Sequence, residues 1–313
     1  MRVADIAGRL LYAVAWLIGR LPLRALHAIG DVCAGITRLA NAREYRVARR
    51  NMQLIASQAS AAAHQQRARA VLRRTWHCAL ETVRFWTRPA GQNLRLVQRV
   101  HGGDLFEAAL ADALANRRGA IIAAPHYGNW ELLNQYLASR TALAILYLAP
   151  DSAIVEGFLR RVRQRPGVIA IRADAGGVRQ LLRHLQAGGV VGILPDQQPK
   201  LGDGVFAPFF GIDALSMTLL PRLAQRSGAT VLFAIAERAA DDAHFDIHFQ
   251  RAPDVLSGSD LPAAAAAMNA AVETLARRDE AQYQWTYKRF SRPPPGKDNP
   301  YWPDCYPRQR STP

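Results

Sequence analysis

The sequence predicts an α/β fold: a mostly parallel central sheet covered by helices, with an N-terminal helical membrane-associated region. Three observations carry this. From Gly119 onward, short apolar runs alternate with helical patterns. Each run is apolar throughout, as strands buried on both faces are in parallel sheets. And the chain up to Arg88 shows no convincing strand. The runs are Ala120–Ala124, Leu143–Leu148, Val168–Ile171, Val190–Leu194 and Thr230–Ala236. Helical patterns at Trp130–Ser139, Ala153–Arg165, Val178–Gln186 and Ala214–Ser227 separate them.

In chain order, the first feature is Leu10–Gly19, an apolar stretch enclosed by Arg9, Arg20 and Arg24. A spanning helix needs about 20 apolar residues, and this stretch falls short. A secretory signal peptide has a similar apolar part. However, no small-x-small cleavage site follows promptly, and further arginines do. A buried core helix and an interfacial helix remain, and the flanking arginines suit the interfacial one. The expectation is a membrane-associated segment over residues 1–40 and a main domain over 41–313, with the bulk of the chain cytoplasmic. Helices are expected at Pro22–Leu39, Arg43–Ser57 and Ala59–Thr87. Beyond the parallel strands, His244–Arg251 alternates like a half-exposed edge strand, and Pro262–Arg277 reads as a last helix. A Pro-rich tail follows Arg292, as an ordered wrap or a loose end.

Composition narrows the function. Half of the 313 residues are apolar and 21% charged, which excludes a mainly disordered chain. Cys33, Cys78 and Cys305 are far apart and odd in number, which excludes a disulfide framework and a CxxC metal pair. With 40 Lys and Arg against 25 Asp and Glu, the net charge of +15 asks for an acidic partner: nucleic acid, an anionic membrane or an acidic carrier protein. The arginines are spread through helices, with no recognised nucleic-acid-binding motif. No metal or nucleotide motif appears, and no cofactor is expected.

Open α/β sheets bind ligands beyond the carboxyl ends of their strands. The first such place is Ala124-Pro-His126-Tyr-Gly-Asn-Trp-Glu131. Pro125 and Gly128 shape a tight connection, Asn129 can cap the next helix, and Glu131 falls in its first turn. First-turn glutamates also occur with no catalytic role, because the helix dipole favours them. His126 stands at the mouth of the fold, where an imidazole beside a carboxylate can take a hydroxyl proton near neutral pH. The second place follows Leu194. Asp196 is there a positioning group or a turn-former, and Phe206, Phe209 and Phe210 line an apolar groove or pack beneath a helix.

Together these blocks resemble the lipid A biosynthesis acyltransferases, the late lauroyl/myristoyl-type enzymes within the lysophospholipid acyltransferase superfamily. The resemblance rests on His126-Tyr-Gly-Asn-Trp-Glu131, on Asp196-Gln197, and on Gly204-Val-Phe206-Ala-Pro208-Phe209-Phe210-Gly211. Arg50-Asn51, Tyr283-Gln-Trp285 and Lys288-Arg289-Phe290 complete it, in the expected order over most of the chain. The block after Asp196 reads Asp-Gln-Gln-Pro-Lys, a departure from the commoner pattern. The resemblance implies acyl transfer from a thioester, on acyl-carrier protein, to a hydroxyl of an anionic glycolipid at the cytoplasmic face of the inner membrane. It makes His126 the base and Glu131 the group that orients it. Oxyanion stabilisation and substrate binding then fall to the helix start at Gly128 and Asn129, to Asp196, and to Arg163 ahead of Gly167. Relatives in the same branch act on other glycolipids, so a different lipid acceptor is the alternative. A non-catalytic basic membrane-binding protein is the rival from another class.

Overall fold

The computed structural model describes residues 3–147, 152, 155, 157–159, 162 and 166–306. Four helices come first: α1 (Val3–Gly19), α2 (Leu23–Leu39), α3 (Arg43–Ile55) and α4 (Ala61–Thr87). A short α5 (Ala90–Leu94), β1 (Val97–His101) and α6 (Gly103–Asn116) follow. The parallel unit then runs β2 (Ala120–Ala123), α7 (Trp130–Arg140), β3 (Leu143–Tyr147), β4 (Val168–Arg172), α8 (Ala175–Gln186) and β5 (Val190–Ile193). Next come β6 (Gly204–Phe209), β7 (Ile212–Met217), α9 (Leu219–Ser227), β8 (Thr230–Arg238), β9 (Phe245–Arg251) and α10 (Leu261–Ala276).

Seven strands form one sheet in the order β1-β9-β8-β2-β5-β3-β4. Strands β8, β2, β5, β3 and β4 run parallel, and β9 turns back antiparallel to β8 with β1 alongside it. Strands β2 and β5 are buried along their whole length, which is why their sequences are apolar without alternation. Their two faces feed two cores. Phe106 of α6 packs with Leu132, Leu133 and Leu137 of α7 on one side, and Leu181, Leu223 and Met268 of α8, α9 and α10 lie on the other.

Two expectations change. Residues 244–251 are not an edge strand, because β1 pairs with β9 in parallel and takes the edge itself. The expected helix over 214–227 begins only at Leu219, and the preceding residues form a hairpin, β6–β7, apart from the main sheet. Phe209 pairs with Ile212, so Phe210 (φ 50°) and Gly211 (φ 74°) are the two turn residues. Positive φ at both positions is the type I′ geometry that matches strand twist. Glycine adopts it freely, whereas Phe210 is strained there. The strain is offset by Glu273, which accepts from the Phe210 amide at 2.5 Å, and by Trp285 and the Arg277 guanidinium against the ring.

The N-terminal helices are locked to the sheet by a buried charge. Glu81 of α4 is fully buried and accepts two hydrogen bonds from Arg238, at the end of β8. It also pairs with His27 of α2 at 2.6 Å, and accepts from the Asn129 carboxamide at 3.2 Å. Elsewhere the helical layer is apolar towards the outside: Leu10, Val14 and Leu17 on α1, and Val32, Ile36 and Leu39 on α2, are all exposed. Among the described residues no helix is long and apolar enough to cross a membrane. The tail wraps back over α3, with Pro300 and Tyr301 bonded to Arg50 and Asn51.

Burial pushes the Glu81 carboxyl up. The Arg238 charge and the hydrogen bonds from His27 and Arg238 outweigh it, leaving the group at about 2 against an ordinary 4.5. A depressed carboxylate contributes stability that is complete above its unfolded value and lost as pH falls towards the folded one. Wild-type protein is therefore expected to lose stability steeply between about pH 4.5 and 2. Glu81→Gln, which strands Arg238, should cost about 3–5 kcal/mol at neutral pH and flatten that acid limb. Denaturant midpoints measured across pH check both, and an unchanged acid limb in the variant would remove Glu81 from the account.

Candidate active site

Strands β2 and β5 are neighbours in register, with Ala123 opposite Ile193. Each then continues through a proline: Ala124-Pro125-His126 after β2, and Leu194-Pro195-Asp196 after β5. Equal offsets from paired residues bring His126 and Asp196 side by side. Asp196 Oδ1 is 2.8 Å from His126 Nδ1, and Oδ2 accepts from the His126 backbone N–H at 2.9 Å. Asp196 is buried, which alone would raise its carboxyl. The charge and hydrogen bonds of His126, with a further bond from the Tyr283 hydroxyl, bring it below the ordinary carboxylate value. Asp196 is therefore ionised at neutral pH, so the neutral form of His126 is the one with its proton on Nδ1 and Nε2 as the acceptor. Nε2 lies 3.1 Å from the Gln197 carboxamide nitrogen.

The loop carrying His126 is clamped from behind. Gly128 (φ 56°) lies so close to β8 that a Cβ would meet the Ala236 carbonyl oxygen at 2.0 Å, so only glycine fits. The Gly128 amide donates to Gln282, the Asn129 amide to Ala236, and the Gln284 amide donates to the His126 carbonyl. This gives Tyr283-Gln-Trp285 its place: it is the strap that holds the loop and supplies a bond to Asp196. Gln198 is held likewise: its backbone N–H donates to the Tyr287 hydroxyl and its side chain to the Arg289 carbonyl.

A cavity of about 1270 Å³ opens beside His126, beyond the carboxyl ends of β2, β3 and β5. His126, Trp130, Glu131 and Gln197 line one part, and Ile145, Leu146, Ile193 and Leu194 give it an apolar wall. Tyr12 of α1, Arg20 just past it, Trp86 of α4 and its C-cap Arg88 line it as well.

Several expected residues take other places. The carboxylate on His126 is Asp196, while Glu131 lines the cavity in the first turn of α7. Asn129 is fully buried, capping α7 through Leu132 and donating to Glu81. With its amide and that of Gly128 both engaged, these two present no oxyanion donor to the cavity. Phe209 is buried among Tyr283, Trp285 and Phe290, Phe210 packs on Trp285, and Phe206 faces outward from β6. None of the three lines this cavity. Arg163 lies outside the described residues. Burial pushes the Cys78 thiol up to about 12, far from a thiolate nucleophile.

The family described as bacterial lipid A biosynthesis acyltransferase matches the chain over residues 2–292. The chain belongs to that family. It is similar to the lipid A biosynthesis palmitoleoyltransferase of Escherichia coli, at 27% identity over 293 residues and 92% of each chain. It is also similar to the lipid A biosynthesis lauroyltransferase of the same organism, at 24% identity over 295 residues, again covering 92% of each. A lipid A biosynthesis acyltransferase of Shigella flexneri matches at 27% identity. Family and relatives thus define an O-acyltransferase. Sequence reasoning placed His126 and Asp196 correctly at strand ends and missed Gln197 and Tyr283 as parts of the site. The signal was present: two apolar runs, each followed by residue-Pro and then a titratable group.

Proposed function

We propose that the protein transfers a fatty acyl chain from the thioester of an acyl-carrier protein to a hydroxyl of a lipid A precursor, at the cytoplasmic face of the inner membrane. The observation that carries this is an imidazole held at 2.8 Å by a buried carboxylate and lining a cavity with an apolar wall. His126 Nε2 takes the proton of the acceptor hydroxyl as its oxygen attacks the thioester carbonyl. The carbon–sulfur bond then breaks, and the imidazolium returns the proton to the departing thiolate. Asp196 holds the ring and stabilises its charged form without taking the proton, a contribution of the kind worth about 10²–10⁴ in rate. The Gln197 carboxamide is the donor beside the reacting nitrogen and stabilises the oxyanion, a role expected of Arg163 as well. Glu131, in the cavity wall, orients the acceptor's hydroxyls. The donor is already activated, so no covalent enzyme intermediate is needed.

The net charge and the N-terminal surface support the setting. A basic chain suits an acidic carrier and an anionic lipid surface. Exposed leucines on α1 and aliphatic residues on α2, flanked by arginines, suit a helical pair lying in the interface.

With acyl-carrier protein as donor, free carrier thiol should appear only when the lipid acceptor is present. His126→Ala should abolish it, and Asp196→Asn should lower kcat by about 10²-fold or more with KM little changed. Absence of acceptor-dependent thiol release would reject the reaction. An Asp196→Asn rate within a few fold of wild type would reject the carboxylate's role.

The protein should also sediment with the inner membrane, and high salt should release only part of it. Salt screens charge attraction over about 8 Å at physiological strength and leaves apolar contact intact. Leu10→Asp with Leu17→Asp should complete the release. Full release of the wild type by salt alone would contradict the apolar contribution.

A further inference from the structure

The outer edge of the sheet gathers metal-ligating side chains that the acyl-transfer site does not use. His101 of β1 and His248 of β9 are register partners on adjacent parallel strands. Asp246 stands two residues before His248, on the same face of β9. One ring nitrogen from each histidine and one Asp246 oxygen all lie within 4.8 Å of one another. Side-chain exposure is 48% at His101, 17% at Asp246 and 16% at His248. Two of the three are thus held in the sheet, and the third is open to solvent on the edge strand.

Contacts within the protein do not account for this grouping. His101 Nε2 and Asp246 Oδ2 are 3.8 Å apart, beyond hydrogen-bond reach, and an ion pair this exposed is worth little. Asp246 Oδ1 is buried and has no hydrogen-bond partner among the described residues, which costs stability unless something else satisfies it. The two imidazole rings lie face to face, 4.4 Å between centres and 6° from parallel, so neither can donate to the other. Arg278 is already taken: it donates twice to Glu237 and lies 3.2 Å from His248 Nε2. Glu237 Oε2 in turn is 3.1 Å from His248 Nε2, and Glu237 Oε1 accepts from the Tyr127 hydroxyl at 2.5 Å. A carboxylate anchored behind a histidine is the usual device for fixing a ligating ring.

We propose that His101, Asp246 and His248 bind a divalent transition-metal ion, of which zinc fits best, and that the ion ties edge strand β1 to β9. Imidazole suits zinc, copper, iron and nickel, whereas carboxylates alone suit magnesium or calcium. Zinc commonly takes three such protein ligands with water in the fourth position. Stacked rings do not aim their lone pairs at one point, so binding turns the His101 ring off the stack, which its exposure allows. The ion adds hold where packing gives least: four of the five β1 residues are exposed, and the register on β9 shifts between Val97 and Arg99. The site stands apart from the acyl-transfer reaction, since β9 and β1 are two and three strands away from β2.

The test uses the full chain in detergent, freed of metal by chelator and dialysis, with Zn²⁺ as the probe. Isothermal titration should show one ion per chain at a Kd of about 1 µM, and the ion should raise the melting temperature. His101→Gln removes a ligand at an exposed position and should melt like the wild type when zinc is absent. Asp246→Asn keeps the side chain's shape and removes its charge. Each should weaken binding by about tenfold or more and abolish the zinc-dependent rise in melting temperature. His126→Gln and His244→Gln remove histidines that pair with aspartates elsewhere, and both should keep the full affinity. No binding tighter than about 1 mM would overturn the site, as would an affinity that His101→Gln leaves within about twofold. Loss of the ion in His126→Gln would also overturn it, by placing the metal at the cavity. If Asp246→Asn fails to fold, His101→Gln alone decides.

Discussion

The lateral pairing of β2 with β5 is the constraint on which the site depends. Ala123 lies opposite Ile193, and both strands run on through the same short step to a proline and then a titratable residue. A slip of one residue would turn His126 and Asp196 to opposite sides of the sheet. The strands are fully buried, so the hydrophobic effect fixes that register firmly, and the hydrogen bonds between the two side chains inherit its precision. The chain leaves β2 through α7 on one face and leaves β5 towards α9 on the other. An opening is thereby left at the strand ends, where the cavity lies.

Buried polar groups support the same place from outside the sheet. Glu81 joins α2, β8 and the cap of α7, so the helical layer and the His126 loop share one electrostatic anchor. The C-terminal strap adds a second anchor through the Gln282 and Gln284 backbone, and Tyr283 bonds to Asp196. Residues more than 150 positions apart in the chain therefore determine one imidazole's orientation. Such networks are costly if half satisfied, which makes each member sensitive to substitution.

Much of the fold could be read from patterns, because strands buried on both faces, β2 and β5, leave a plain signature. The run at Val168, by contrast, belongs to β4, an edge strand with three exposed residues. The apolar runs at Ala120, Leu143, Val168, Val190 and Thr230 begin where the strands begin. Strand β1 (VQRVH) escaped notice because it is an exposed edge with polar side chains and needs no apolar face. The β6–β7 hairpin was hidden by its turn, since Phe-Gly is a poor match to the usual Asn-Gly signal. Residues 214–217, meanwhile, join smoothly to a helical pattern. The phenylalanines there were ambiguous for a physical reason: composition shows that a loop is greasy, not which side its core lies on. Glu131 drew attention through its spacing from His126, yet strand adjacency, which no spacing reveals, gave Asp196 the contact.

The central claim is that Asp196 fixes the proton on Nδ1 of neutral His126 and leaves Nε2 as the acceptor. Long-range proton–nitrogen NMR on the full chain, labelled at its eight histidines, measures this directly, with His126→Gln giving the assignment. At neutral pH the account requires a protonated Nδ1 and an unprotonated Nε2, and a loss of that preference in Asp196→Asn. A His126 whose proton sits on Nε2 in the wild type, with Nδ1 bare, would contradict it.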